Sequence, residues 1–137
     1  MNIKDIKTDA PTDGDKLNNI FTRQFELMQK YHEIEHKNGF QVSNIPIDLH
    51  DRLGQARTRE LIRRCVEELF EASHTLKNSA WKQSHVLTDL DHFYEELSDA
   101  FHFFIELCLA VGLDSDSLYA LYFKKSEVNK FRQESAY

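Results

Sequence analysis

Glycine and proline are scarce in this 137-residue chain, at 4 and 2 residues. So few turn formers leave little room for the tight connections of a sheet-rich fold. With 10 phenylalanines, the composition points instead to long helices joined by few connections. Cysteine is limited to Cys65 and Cys108, which excludes a disulfide framework. Each stands among apolar residues of a helical segment, where a thiol behaves as a small buried hydrophobe. Long hydrophobic runs are missing too. The longest, Phe103 to Leu113, contains Glu106 and falls short of the ~20 residues that a bilayer span requires. The first residues, MNIKDIKTDAPTDGD, are charged and polar and do not read as a secretory signal. These absences fit a reducing, cytoplasmic setting with no membrane partner.

An excess of positive charge is also lacking. Lys and Arg total 17 against 23 Asp and Glu, a net charge of −6 with His neutral. Such a chain is poorly suited to grip a nucleic-acid polymer by bulk charge. It is not barred from binding a single nucleotide, because a metal ion can bridge acidic side chains to phosphates. The length suffices for one domain with one core.

What is present is helical periodicity. Residues 1–15 show no apolar period and read as a mobile arm, which leaves 16–137 as a single domain. From about Leu17 the apolar positions Leu17, Ile20, Phe21, Leu27, Met28, Tyr31 and Ile34 recur at helical spacing, up to Gly39. Gly39 to Gly54, with Pro46, reads as a connection. A second helix is predicted from about Ala56 to Lys77, and a linker around Asn78–His85 holds the only Trp, Trp81. The third is predicted from about Thr88 to Val111, with Gly112 as its stop. Ser115 or Asp116 is placed to cap a fourth. No alternating strand pattern, repeat or low-complexity tract is present, so the expected class is an all-α bundle of four to five helices. The third helix is apolar over more than one stripe, through Phe93, Tyr94, Leu97, Phe101, Phe103 and Phe104. It should be central, or lie partly in a subunit interface.

The informative feature is where the acids lie. The second helix carries E-L-F-E, with Glu68 and Glu71 three apart; the third carries E-L-S-D, with Glu96 and Asp99 three apart. Residues i and i+3 share a helix face. Apolar residues interleave both pairs, so both faces are expected to approach the interior. Four carboxylates there would repel one another and lose solvation, a conflict that a hard divalent cation resolves. Two other readings stay open. Solvated helix faces would make the chain a non-enzymatic helical interaction module. Glu71-Ala-Ser-His74 and Asp99-Ala-Phe-His102 are both carboxylate-x-x-His, an element of di-iron bundles. Against the di-iron reading, the further acids Glu68 and Glu96 lie on the same two helices and not on two others.

The last segment departs from the overall acidity. Residues 121–137 hold Lys124, Lys125, Lys130 and Arg132 against Glu127 and Glu134. Lys125, Asn129 and Arg132 fall on one helical face, suited to phosphate and sugar oxygens. The alternative is a solvated helix end with cations favourably placed on the dipole. Arg52, Arg57, Arg59, Arg63 and Arg64 form another basic cluster, which reads as a solvated helix start.

These pieces together resemble the all-α nucleoside triphosphate pyrophosphatases, which include the dimeric dUTPases and MazG-like enzymes. The resemblance is to the dimeric dUTPase branch, and within it to phage-type dCTPase/dUTPases. It rests on E-L-F-E followed by S-A-W-K, on E-L-S-D-A-F-H-F-F, and on the tail L-Y-F-K-K-S-E-V-N-K-F-R-Q-E-S-A-Y, with Met28-Gln29 as a weaker match, and covers roughly residues 20–137. The tail looks like the family's K-N-x-x-N-x-x-R-Q-x-x-G-Y ending. Ser126 stands in place of its Asn, Ala136 in place of the Gly before Tyr137, and Glu33 where dUTPases often have Asn.

The resemblance implies Mg²⁺-dependent hydrolysis of a pyrimidine deoxynucleoside triphosphate, as a dUTPase or a dCTPase/dUTPase, to the monophosphate and pyrophosphate. A broader, MazG-like specificity is the alternative within the family. Glu68, Glu71, Glu96 and Asp99 would be the metal ligands and catalytic acids, with Glu68 or Glu71 acting on the attacking water. Lys125 and Arg132 would neutralise phosphate charge. Gln29 would read the pyrimidine edge, Trp81 or Phe103 would stack on the base, Asn129 would bond the sugar hydroxyl, and His102 joins this substrate-binding set. A homodimer is implied, in the cytoplasm, or in the host's cytoplasm if the chain is phage-encoded.

Overall fold

The computed structural model describes residues 2–42 and 44–135. Among them are four α-helices and no strand: α1 (Lys16–Lys37), α2 (Arg52–His74), α3 (Leu90–Ala110) and α4 (Ser115–Glu134), with one 3₁₀ turn at Ile3–Asp5. The all-α class expected from the glycine and proline shortage is the class observed. The chain divides into two compact units. One holds residues 1–12 and 48–107, hence α2 and most of α3; the other holds 13–47 and 108–137, hence α1, α4 and the end of α3.

Local chemistry sets the helix ends. The Asp15 side chain accepts from Asn18 N at 3.0 Å and starts α1. Asp51 does the same for α2, accepting from Gly54 N at 3.0 Å, so α2 begins four residues before the predicted Ala56. Gly54, the end of the expected connection, is instead buried in the first turn of α2. The helix also stops short of the predicted Lys77. Thr75 turns its hydroxyl onto Ala72 O at 2.7 Å and takes a terminal carbonyl that another turn would have used. Asp89 accepts from His92 N at 3.1 Å, which moves the start of α3 to Leu90.

The fourth helix corrects the expected cap. Neither Ser115 nor Asp116 fills that position; Asp114 does, in a reciprocal capping box with Ser117. Asp114 Oδ1 accepts from Ser117 N at 2.7 Å and Ser117 Oγ accepts from Asp114 N at 2.9 Å. Ser115 is buried in the first turn, and its hydroxyl donates to Asn18 Oδ1 of α1 at 3.2 Å. This bond ties the first turns of α1 and α4 together. In the same unit Ile47 N donates to Ala110 O at 2.7 Å. Gly112 follows at φ +93°, with the site of a Cβ only 3.1 Å from Pro46 Cβ, so the stop after α3 needs glycine for both conformation and space.

In the other unit α2 and α3 meet through small residues. Ala72 and Ala100 are buried, and Cys65 Sγ donates to Ala100 O at 3.3 Å. Ile105 is the most completely buried large side chain, 1% exposed. Cys108 is buried as expected, and Cys65 is half-buried. The third helix does not hide all its apolar surface. Leu90, Tyr94, Leu97, Phe101 and Phe104, at alternating spacings of four and three, remain exposed along one stripe.

Ile105→Ala removes a fully enclosed side chain, and the cost expected is ~2–5 kcal/mol of unfolding free energy. Urea titration followed by circular dichroism measures it. A loss under ~0.5 kcal/mol would show that this position is not core.

Candidate metal centre

The carboxylates are brought to one level by the pairing of α2 with α3. Glu68 stands one turn after Cys65 on α2, and Glu96 one turn before Ala100 on α3. Because Cys65 reaches Ala100 while Glu68 reaches Glu96, the two helices run antiparallel at this point. Oxygens of Glu68, Glu96 and Asp99 all lie within 4.8 Å of one another, and all three residues are half-buried. Among the described residues this is the one group of three or more acidic, His or Cys ligands that could hold a metal ion. Glu71, the fourth expected acid, is exposed on α2 and is not part of the group.

The electrostatics are those of crowded like charges. The Glu68 carboxyl is pushed up to about 7, first by its hydrogen bond with Glu96, then by burial, then by repulsion from Glu96, Asp99 and Glu71. Asp99 is raised by burial and by Glu96, against a downward pull from His102. A neutral Glu68 sharing its proton with Glu96 is how the protein alone relieves the cluster. A divalent cation would do so without a proton, and three carboxylate oxygens are the donor chemistry that hard cations select.

The surroundings add two histidines. His92 Nε2 lies 3.0 Å from Glu96 Oε1, four residues earlier on α3. His102 Nδ1 lies 2.8 Å from Ser98 O, which fixes its ring on an exposed face of α3. His92 was not singled out by sequence reasoning. The signal available was its i,i+4 spacing to Glu96.

The remaining expected residues are placed as follows. Phe103 is half-buried on α3. Trp81 is 83% exposed in the loop between α2 and α3. That loop is closed by Asn78, whose side chain donates to Val86 O at 2.7 Å and accepts from Val86 N at 2.9 Å. Gln29 on α1 and Lys125, Asn129 and Arg132 on α4 belong to the other compact unit. Gln29, Lys125 and Asn129 are exposed, and Arg132 is half-buried. Ala136 and Tyr137, the end of the tail motif, lie outside the described residues. On α2, Arg63 pairs with Glu60 and Glu67, and Arg64 Nε lies 3.4 Å from Glu60 Oε1, as a solvated helix face would have it.

A protein-family model described as dUTPase matches residues 3–137, almost the whole chain. No curated protein and no solved structure gives a match. No helix among the described residues is long and apolar enough to cross a membrane.

A raised carboxyl makes stability depend on pH in a definite direction. Glu68 titrates near 4.5 when unfolded and near 7 when folded. Its contribution is fully present below the lower value and is lost as pH rises through the upper one. In chelator, the thermal midpoint is expected to fall as pH rises from 4.5 to about 7, and Glu96→Gln, by removing one charge, should flatten that fall. Identical pH profiles for the two proteins would show that the carboxylates do not interact.

Proposed function

This chain belongs to the dUTPase family, and we propose that it hydrolyses dUTP to dUMP and pyrophosphate with Mg²⁺ held by Glu68, Glu96 and Asp99. The observation that carries the reading is the meeting of three carboxylate oxygens from two helices, within a chain matched almost end to end as a dUTPase. Family membership makes the protein a nucleoside triphosphate pyrophosphatase; the cation, the pyrimidine and the roles below belong to the proposal. Bound there, Mg²⁺ supplies positive charge that offsets the triphosphate and its leaving group.

The chain's own groups do the rest. Glu71 follows Glu68 by three residues on α2 and completes the set of four acids. It is exposed and stands outside the oxygen cluster, which suits it to orient the attacking water and accept its proton. Lys125 and Arg132 supply cations for the phosphates, and Asn129 on the same face supplies an amide for the sugar hydroxyl. Gln29 offers a donor and an acceptor to the pyrimidine edge. Trp81 or Phe103 stacks on the base, and the high exposure of Trp81 supports the first choice. His102, fixed by Ser98 O, completes the substrate-binding set. A homodimer accounts for the exposed stripe of Leu90, Tyr94, Leu97, Phe101 and Phe104, since an apolar face of this extent favours cover by another copy.

A di-iron centre is less well supported. The assembled group contains no histidine, so neither His74 nor His102 takes the place that a carboxylate-x-x-His ligand would.

The test is turnover with Mg²⁺ and each of dUTP, dCTP, dTTP, dATP and dGTP, with monophosphate and pyrophosphate both measured. Release of pyrophosphate from dUTP is expected, with dCTP as the second pyrimidine to compare. Equal use of purines would replace the pyrimidine reading with a broad MazG-like one, and no turnover at all would overturn the enzymatic reading. Glu71→Gln and Asp99→Asn should each lower kcat/KM by at least ~100-fold in a folded protein. Wild-type rates in either would remove that residue from the site.

A further inference from the structure

The pair His92 and Glu96 repays a closer look. Pairs at i,i+4 on exposed helix faces are common and weak. This one is asymmetric. The His92 side chain is 51% exposed, whereas that of Glu96 is 14% exposed and its carboxylate stands among those of Glu68 and Asp99. The ring nitrogen lies 3.0 Å from Glu96 Oε1, a full hydrogen bond, and a carboxylate oxygen accepts there from Nε2–H.

His92 is itself well placed to hold still. Its backbone N–H donates to the Asp89 side chain at 3.1 Å, so it sits in the capped first turn of α3. The Asp89 cap holds the His92 backbone, and from there the His92 ring reaches the Glu96 carboxylate. A glutamate has three side-chain torsions, and one turn of backbone does not fix where its oxygens point. A donor on one oxygen limits where that oxygen points.

We propose that His92 is a positioning residue for the cation site, holding the Glu96 carboxylate in the orientation from which it meets Glu68 and Asp99. His92 does not touch the cation or the nucleotide; it acts through Glu96. Removing such an outer hydrogen bond typically weakens metal binding by about 10–100-fold. The inference rests on the cation reading above and adds to it a residue outside the acidic motifs.

Mn²⁺ is the probe, because the free ion gives an electron paramagnetic resonance signal and binding can be read without nucleotide or turnover. Wild type, His92→Ala, His92→Gln and Glu96→Gln are titrated with Mn²⁺ at one pH, after circular dichroism melts in chelator establish that each is folded. His92→Ala is expected to weaken Mn²⁺ binding by about 10–100-fold, and His92→Gln, which keeps an N–H donor on a side chain of similar reach, to recover most of it. Glu96→Gln should weaken binding at least as much as His92→Ala. Wild-type affinity in His92→Ala, with Glu96→Gln still impaired, would overturn the positioning role and leave the cation site standing. Equal weakening in His92→Ala and His92→Gln would also overturn it, since the hydrogen bond would not be the cause. No difference between wild type and Glu96→Gln would overturn the cation reading, and this inference with it.

Discussion

The mutual repulsion of Glu68, Glu96 and Asp99 is the constraint to which the surrounding structure answers. Three carboxylates within 4.8 Å, all half-buried, are not a resting arrangement for a protein by itself. The chain pays in two ways: Glu68 holds its proton up to about pH 7, and Glu96 takes hydrogen bonds from both Glu68 and His92. Folding brings the charges together nonetheless: Leu69, Phe70 and Leu97, which interleave the acidic pairs, stay exposed, and α2 meets α3 where Cys65 reaches Ala100. Ala72 and Ala100 are buried, and Cys65 on Ala100 O marks the level of the contact. Catalytic sites commonly hold such tension, since groups arranged for a charged ligand are badly arranged without it.

The same tension separates the candidate roles of four similar acids. Glu68, Glu96 and Asp99 share one small volume, where burial and like charge raise the Glu68 and Asp99 carboxyls. Glu71, on the same helix as Glu68, is exposed and stands outside the oxygen cluster. A ligand must give up its lone pairs to the cation, whereas a base must keep one for the proton of water. In the proposed mechanism, placement relative to the cluster separates the two tasks more sharply than residue type can.

Much of this was legible in the sequence, for physical reasons that can be named. Scarce glycine and proline together with a 3.6-residue apolar period point to helices, although of the ten phenylalanines only Phe21 is buried. The paired acids at i and i+3 mark one face of each helix. Helix ends were less legible. Asp51, Asp89 and Asp114 each cap through a side-chain oxygen that reaches a backbone N–H three residues on, and an Asp in a polar stretch gives no periodic signal. The level at which α2 meets α3 was not legible either. It is marked by a thiol reaching a backbone carbonyl, and at that level Glu68, and not Glu71, joins the cluster. His92 was passed over because it lies outside the motifs, although its spacing to Glu96 was there to be read. The tail cations remain where the sequence placed them, on α4, in the unit that also carries Gln29.

The central claim is that the oxygens of Glu68, Glu96 and Asp99 form a divalent-cation site. Anomalous scattering from a crystal grown with Mn²⁺ tests it most directly. A peak is expected in contact with oxygens from all three residues, at about 2.0–2.3 Å, the range of hard cation–oxygen bonds. A well-diffracting crystal with Mn²⁺ bound elsewhere, and none between these carboxylates, would contradict it.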